Sequence, residues 1–255
     1  MSWEIGAGLE GRGVIVTGAV GGIGRAVAKA FAAAGARVMA ADLSADQLEG
    51  LVSELEGSGH TFQALDLSDP AAPDRLISAT RERIGDFWAL VHLAAVLRRQ
   101  AQLSDVTEKD WDLQVDTNLK ATFFLCRAAA QAMVDDGRGG RVITFTSQGW
   151  WTGGYGGSVV YNTTKGGIVT MTRGFARTYG PHGITVNSVA PGQVRTPMLL
   201  TGLDDKVLES MTLATPLGRI AEPEEIAGVP VFLASRHAQF ITGATINITG
   251  GFLMY

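Results

Sequence analysis

Three residues in the second half of the chain have side chains suited to proton transfer. Tyr161 and Lys165 are four positions apart, and Ser147 precedes them. Because an α-helix completes a turn in 3.6 residues, Tyr161 and Lys165 share one helix face. A cation on that face can favour ionisation of the phenol, whose ordinary pKa is about 10. Such a phenol beside a serine hydroxyl could exchange a proton with the oxygen of an alcohol or ketone.

Neighbouring residues of the same types fit this chemistry less well. Tyr155 has a valine rather than a lysine four positions later. Thr146 adjoins Ser147, and alternation along a strand would point its hydroxyl the other way. Because a tyrosine–lysine pair at this spacing often arises by chance, the elements around it must show whether it belongs to a site.

Apolar runs alternate with helical patterns along almost the whole chain. We predict strands at residues 13–17, 37–41, 60–65, 88–93, 141–145, 184–189 and 244–248. We predict helices at about 22–34, 70–84 and 158–179, two within 108–135, and others opening at Ser44 and Glu222. This order is typical of a Rossmann-type α/β fold, a doubly wound parallel sheet with helices on both faces. Residues 1–255 are predicted to form a single domain, with a mobile substrate segment at about 193–215.

The composition is that of a compact soluble protein. Hydrophobic residues make up 46% and charged residues 18% of the 255 positions, and the net charge is −4. This balance argues against a disordered chain, and without a basic run we expect no nucleic-acid partner. The N-terminus lacks a signal-peptide pattern, and no run reaches the roughly 18 apolar residues of a membrane span. We therefore expect no membrane association and a cytoplasmic location.

Cys126 is the only cysteine in the chain. An intramolecular disulfide and a cysteine-rich zinc site are both excluded. Since Cys126 lies in an apolar helical stretch, we expect a core position, and we predict no metal site.

A glycine-rich turn follows the first predicted strand and enters a helix. It runs from Thr17 through Gly18, Gly22 and Gly24. Where side chains are missing, backbone can approach a pyrophosphate closely, and a helix N-terminus offers it free N–H groups. The spacing differs from the usual G-x-G-x-x-G, but the strand–turn–helix context favours nucleotide binding over a simple tight turn.

Two aspartates follow the next two strands at the same edge of the sheet. Asp42 can accept hydrogen bonds from adenosine ribose hydroxyls and would repel a 2′-phosphate, which predicts NAD rather than NADP. The alternative for Asp42 is a helix cap. Asp66 could hold the adenine amino group or cap the turn that follows it, and the sequence does not decide between these roles.

With these pieces in place, the chain resembles the short-chain dehydrogenase/reductase family over almost its whole length. The residues that carry the resemblance are Thr17-Gly18, Gly22-Ile23-Gly24, Asp66-Leu67, Asn118, Ser147, Tyr161, Lys165, Asn187, Pro191-Gly192, Thr196, Ile241 to Thr245 and Gly250-Gly251. The resemblance implies an NAD-dependent oxidoreductase that interconverts a secondary alcohol and a ketone. It also implies a homotetramer, and the apolar tail Phe252–Tyr255 is suited to burial at an interface.

The resemblance also implies a role for each matching residue. Tyr161 would be the general acid or base, and Lys165 would lower the Tyr161 pKa and hold the nicotinamide ribose. Ser147 would stabilise charge on the substrate oxygen, and Asn118 would hold a water linking Lys165 to solvent. The implied cofactor-binding residues are Gly18, Gly21, Gly22, Ile23, Gly24, Asp42, Asp66, Leu67, Ala94, Tyr161, Lys165, Val194 and Thr196.

The sequence departs from the family pattern after the fourth strand. His92-Leu93-Ala94-Ala95 stands where the family usually has Asn-Asn-Ala-Gly. Leu93 cannot make the amide hydrogen bonds of that pattern, and we expect His92 to replace one of them as a satisfied, partly buried donor rather than to act in catalysis.

The stretch after Ser147 is also unusual. Trp150, Trp151 and Tyr155 lie on a glycine-rich loop and could either wall an apolar substrate or pack against another subunit. Five apolar residues of the mobile segment would extend an apolar lid: Leu199, Leu200, Leu203, Met211 and Leu213. Together they favour a sizeable, partly apolar alcohol or ketone as the small-molecule substrate.

Two other functions stay open at this point. One is a reductase acting on a carrier- or CoA-linked 3-oxoacyl group, for which Arg98-Arg99 is the only obvious basic patch. The other is a dinucleotide-binding sensor without turnover. The presence of Ser147, Tyr161 and Lys165 argues against a sensor, because such a protein has no need of them.

Overall fold

The computed structural model describes residues 7–154, 157–201 and 205–254. Seven strands pair in parallel in the order β3-β2-β1-β4-β5-β6-β7. Their bounds are β1 Gly13–Thr17, β2 Arg37–Asp42, β3 Thr61–Ala64, β4 Phe87–His92, β5 Gly140–Phe145, β6 Ile184–Pro191 and β7 Thr245–Ile248. The predicted doubly wound Rossmann-type sheet is confirmed.

Helices cover the two faces of this sheet. Their bounds are α1 Gly22–Ala33, α2 Ala45–Ser53, α3 Ala72–Ile84, α4 Glu108–Val115, α5 Ala121–Asp136, α6 Gly149–Thr152, α7 Val159–Tyr179, α8 Pro197–Leu200, α9 Asp205–Ala214 and α10 Pro223–Ala234. The core on one face takes side chains from α1, α2 and α10, and the core on the other takes them from α3, α5 and α7.

The central strands are rich in apolar residues because both faces of a parallel sheet are buried. In β1, Val14 and Val16 pack into the first core, whereas Ile15 between them packs into the second. The other central strands alternate in the same way. Cys126 is fully buried in the second core, and burial raises its thiol pKa to about 12, as expected of a structural cysteine.

Helix ends follow signals that were visible in the sequence. The Ser44 hydroxyl accepts a hydrogen bond from the Gln47 N–H at 3.4 Å and so caps α2. Thr107 caps α4 in a reciprocal capping box with Asp110. α10 begins with Glu222 as its N-cap and Pro223 in its first turn.

Two segments differ from the simple pattern. Residues 108–136 form two helices as predicted, but they are joined by a wide π-helical turn at Asp116–Lys120. The segment 193–215 contains α8 and α9, which the sequence analysis did not predict. The four residues of α8 are too few for a clear period. Its mobility stays a prediction. Across the described ranges, no helix is both long and apolar enough to cross a membrane.

Candidate active site

One cleft of about 570 Å³ lies at the carboxyl edge of the sheet. Parallel strands bring the residues that follow them to this edge, where ligands bind in open α/β sheets. Every candidate site residue except Asn118 lines it: Gly18, Gly21, Gly22, Ile23, Gly24, Asp42, Asp66, Leu67, Ala94, Ser147, Tyr161, Lys165, Val194 and Thr196. The structure therefore brings both halves of the predicted site together.

The glycine-rich turn makes one end of the cleft a cradle without side chains. Gly18 has φ +67°, and a Cβ there would lie 2.6 Å from the backbone nitrogen of Ala94. A Cβ on Gly22 would lie 2.7 Å from Cγ2 of Thr196, and one on Gly24 would overlap the Gly18 carbonyl oxygen. Together with the start of α1, this bare surface fits the pyrophosphate of a dinucleotide.

Asp42 lies beside this cradle and does not cap α2, since Ser44 does so. Its Oδ2 accepts a hydrogen bond from the Val20 N–H at 3.1 Å, and its Oδ1 accepts one from the Leu43 N–H at 2.8 Å. Asp42 thus fastens the glycine-rich turn to the end of β2. Its side chain also faces the cleft, where a ribose could be recognised.

Asp66 shows the turn-capping role that the sequence left open. Its Oδ1 accepts hydrogen bonds from the backbone N–H of Ser68 at 2.8 Å and from its hydroxyl at 2.7 Å. The side chain also lines the cleft. Turn capping therefore does not remove Asp66 from the nucleotide end of the site.

Tyr161 and Lys165 lie on α7 and face the other end of the cleft. Lys165 is only 3% exposed, and its Nζ donates a hydrogen bond to the Phe145 carbonyl oxygen at 2.8 Å. The same Nζ lies 5.4 Å from the centre of the Tyr161 ring. Ser147 follows β5, and its Oγ accepts a hydrogen bond from the Gly149 N–H at 3.2 Å.

Burial controls the proton affinities of this pair. It raises the pKa of Tyr161 to about 12 and lowers the pKa of Lys165 to about 7. The charge that opposes the rise at Tyr161 is the Arg99 guanidinium. The Lys165 ammonium is held by the Phe145 carbonyl, and burial favours its neutral form. The expectation that Lys165 lowers the Tyr161 pKa stays a prediction.

Asn118 lies in the wide turn between α4 and α5 and does not reach the cleft wall. Its side chain exchanges two hydrogen bonds of 2.8 Å with the backbone N–H and carbonyl of Val96. It also donates to Thr164 Oγ1 at 3.3 Å, one residue before Lys165. Asn118 therefore joins the loop after β4 to α7, and a water-holding role stays a prediction.

The comparisons with known proteins agree with this geometry. A family model described as enoyl-(acyl carrier protein) reductase matches residues 18–253. The (3R)-3-hydroxyacyl-CoA dehydrogenase of Rattus norvegicus is 37% identical over 250 residues, which cover 94% of this chain and 95% of that protein. The (2S)-[(R)-hydroxy(phenyl)methyl]succinyl-CoA dehydrogenase subunit BbsD of Thauera aromatica is 34% identical over 246 residues, which cover 96% and 97%.

A crystal structure from Brucella melitensis described as a short-chain dehydrogenase/reductase, glucose/ribitol dehydrogenase, superposes with a TM-score of 0.88. It is 34% identical, and the match covers 97% of this chain and 98% of that one. The chain belongs to the short-chain dehydrogenase/reductase family. It is therefore an oxidoreductase of a family that binds a nicotinamide dinucleotide.

His92 shows how this short-chain dehydrogenase/reductase compensates for its departure after β4. The ring is 2% exposed, with Nδ1 2.7 Å from Thr17 Oγ1 and Nε2 2.8 Å from Thr122 Oγ1. Burial, with a smaller contribution from Lys165, lowers the His92 pKa to about 3, so the ring is neutral. The ring is hydrogen-bonded as predicted but fully rather than partly buried, and it links β1, β4 and α5. That His92 has no part in catalysis stays a prediction.

The two tryptophans after Ser147 do not line this cleft. Trp150 and Trp151 stack edge to face with ring centres 5.2 Å apart, and neither lines the cavity. Trp151 is 61% exposed. A role of the two tryptophans in subunit packing stays a prediction, and Tyr155 lies outside the described residues.

Only part of the predicted apolar lid faces the site. Leu199 and Met211 line the cleft, whereas Leu213 is 78% exposed and Leu200 is 38% exposed. Leu203 lies outside the described residues. Sequence reasoning missed Leu97 and Met198, which also line this end of the cleft. No periodicity marks them, because Leu97 lies in a loop and Met198 lies in the four-residue helix α8.

The low pKa of Lys165 predicts how stability changes with pH. The Lys165 pKa is about 7 in the folded protein and 10.5 ordinarily. Between these pH values the lysine is therefore protonated in the unfolded chain but mostly neutral in the folded protein. The free energy of unfolding should therefore rise with pH, by about 2 kcal/mol between pH 7 and 9. Urea denaturation of the wild type and Lys165→Met at intermediate pH values measures this. An equal pH dependence in both proteins would contradict the buried, depressed pKa.

Proposed function

We propose that this protein is an NAD-dependent oxidoreductase that interconverts a secondary alcohol and a ketone. The observation that carries the proposal is that Ser147, Tyr161 and Lys165 open on the same cleft as the glycine cradle. A reacting alcohol beside Tyr161 would thus lie in one continuous space with the dinucleotide. When bound, the nicotinamide supplies hydride exchange with the substrate carbon.

The chain's own residues supply the proton and the electrostatics. With a pKa raised to about 12, the Tyr161 phenol is protonated at neutral pH, as is required for donating a proton to a ketone oxygen. The Ser147 hydroxyl is placed to stabilise charge that develops on that oxygen. Lys165, held by the Phe145 carbonyl, would bind ribose hydroxyls of the cofactor. The Asn118 contacts hold α7 against the loop that completes the cleft.

Charge distribution in the cleft supports NAD over NADP. Among the described residues, the acidic side chains that line the cleft are Asp42 and Asp66, and its Lys and Arg side chains are Arg99 and Lys165. Asp42 lies beside the glycine cradle, whereas Arg99 and Lys165 lie around Tyr161. Arg25 is the cation nearest in sequence to the glycine-rich turn, and it forms an ion pair with Glu54 at 3.0 Å. A 2′-phosphate would therefore meet a carboxylate rather than a guanidinium.

The substrate is proposed to be sizeable and partly apolar. Leu97, Met198, Leu199 and Met211 line the end of the cleft that contains Tyr161 and Arg99. Two relatives have names that describe dehydrogenases of hydroxyacyl-CoA compounds, which keeps a CoA-linked hydroxyacyl substrate as the second candidate. A non-catalytic sensor is disfavoured, because three reactive side chains converge on one cleft.

A panel of aliphatic and aromatic secondary alcohols, each assayed with NAD and with NADP, tests the function. We expect NADH formation with at least one alcohol, and a kcat/KM at least tenfold higher with NAD than with NADP, because Asp42 repels the added phosphate. Absorbance of the reduced nicotinamide measures both.

Asp42→Ala is the matched variant for this assay. This variant should lower the ratio of kcat/KM with NAD to kcat/KM with NADP. The order of preferred alcohols should stay unchanged. Comparable kcat/KM values with the two cofactors in the wild type would refute the NAD assignment. No turnover of any alcohol, ketone or hydroxyacyl-CoA would refute the function itself.

A further inference from the structure

Arg99 is a half-buried cation in the cleft that the proposed proton transfer does not use. Its guanidinium faces the same space as Tyr161, close enough for its charge to oppose the rise in the tyrosine pKa. Across residues 7–154, 157–201 and 205–254, no carboxylate lies within ion-pair distance of it. Arg25, Arg195 and Arg219, on the outer surface, each have one.

Within the described residues, Arg99 donates its hydrogen bonds through one guanidinium nitrogen, which leaves its other N–H groups for the cavity. Nη1 donates to the carbonyl oxygen of Thr201 at 2.9 Å and to that of Met198 at 3.3 Å. These carbonyls lie at the C-terminal end of α8. A guanidinium has five N–H donors, so most of its hydrogen-bonding capacity remains for a ligand.

The neighbouring Arg98 has a different environment. Its side chain is exposed and does not line the cleft, and its backbone N–H donates to Gln114 Oε1 at 3.1 Å. The two arginines therefore do not form one basic patch for an acidic carrier, as the sequence had allowed. They separate into one surface cation and one cleft cation.

The surroundings of Arg99 indicate what would bind it. Partial desolvation lowers the pKa of Arg99, and no carboxylate among the described residues balances its charge. A carboxylate matches the planar fork of a guanidinium and would supply the missing charge. Leu97, Met198 and Leu199 line the adjoining wall, which suits the carbon chain beyond that carboxylate.

We propose that Arg99 binds a carboxylate of the substrate, so that this enzyme selects hydroxy acids or oxo acids with an apolar chain. The inference rests on the proposed alcohol–ketone function and specifies the substrate class of the same site. Arg99 then determines specificity, and α8 holds it in place through its carbonyl oxygens.

The test compares acids with their neutral esters. The 2-, 3- and 4-hydroxyoctanoates, their methyl esters and the coenzyme A thioester of 3-hydroxyoctanoate are assayed with four proteins. These are the wild type, Arg99→Gln, Arg99→Lys and Arg98→Gln. For the preferred acid, Arg99→Gln should lower kcat/KM about ten- to hundredfold, the loss expected for a charged hydrogen-bond pair. For the ester the loss should stay below about threefold. Arg99→Lys should fall between, and Arg98→Gln should match the wild type.

A binding measurement gives a second readout that does not depend on turnover. Octanoate has the carboxylate but lacks the hydroxyl group that reacts. Calorimetry with NAD present measures its affinity for the wild type and the variants. Arg99→Gln should raise the octanoate Kd at least tenfold, while Arg98→Gln should leave it unchanged.

Four outcomes would overturn the proposal. They are equal losses for acid and ester in Arg99→Gln, turnover of esters but of no acid, an unchanged octanoate Kd, and a loss confined to the coenzyme A thioester of 3-hydroxyoctanoate. The last would place a phosphate rather than a carboxylate at Arg99. Turnover of the esters by the wild type separates these results from failure of the alcohol–ketone function, in which neither acid nor ester reacts.

Discussion

Replacing Tyr161 with phenylalanine should lower kcat by about 10²- to 10⁴-fold, the usual contribution of a positioned general acid or base. The change removes one oxygen and keeps the ring that packs beside Lys165. The cofactor Kd should therefore change by less than about threefold. Steady-state assays on an active alcohol and fluorescence titration with NADH measure the two quantities.

Tyr179→Phe is the matched control for this prediction. Tyr179 lies on the same helix, but its ring packs in the core against Phe175, with ring centres 5.7 Å apart. The kcat of the Tyr179→Phe variant should stay within about twofold of the wild-type kcat. If Tyr161→Phe kept wild-type kcat, Tyr161 would not be the proton-transfer group, whatever its position in the cleft.

Replacing Gly24 with alanine should damage both the fold and cofactor binding. The new Cβ would overlap the Gly18 carbonyl oxygen. Gly18 cannot shift easily, because it packs closely against the backbone of Ala94. We expect the free energy of unfolding to fall by about 1–3 kcal/mol, the usual cost of overpacking. We also expect the NADH Kd to rise at least tenfold, since the turn would lose its close approach to the pyrophosphate.

Gly50→Ala is the control for the helical glycine-to-alanine change itself. Gly50 lies within α2, and its Cβ would meet nothing within 4 Å. This substitution should stabilise the protein by about 0.5–1 kcal/mol, because alanine favours helix, and should leave NADH binding unchanged. Wild-type NADH affinity in Gly24→Ala would show that the turn is not the pyrophosphate site.

The strands and the site-bearing helix could be predicted because their signals are local. Buried parallel strands are continuous apolar runs, and β1 and β5 were predicted within one residue of their observed bounds. Tyr161 and Lys165 share a face of α7 as their spacing required. Short elements could not be predicted, since the four residues of α8 hardly exceed one helical turn.

Features that depend on long-range contacts were also hidden in the sequence. Adjacent arginines look alike in a sequence, yet Arg99 faces the cleft and Arg98 faces solvent. The two hydrogen bonds between the Asn118 amide and the Val96 backbone, 22 positions away, could not be seen in the sequence. The pKa of Lys165 could not be foreseen either, because burial and the Phe145 carbonyl are set only when α7 packs on the sheet.

The pairing of β1 with β4 has a consequence for how the chain reaches its native state. The Thr17–His92 hydrogen bond joins residues 75 positions apart, and the Trp88 indole donates to the Ala234 carbonyl 146 positions away. Loops of this length must close before their contacts contribute, which slows folding of proteins rich in non-local pairs. The glycine-rich turn is made early during synthesis, but Ala94, which abuts Gly18, arrives only after three intervening strands and three helices. A nascent chain therefore carries its nucleotide-binding sequence long before it has a surface on which a nucleotide can bind.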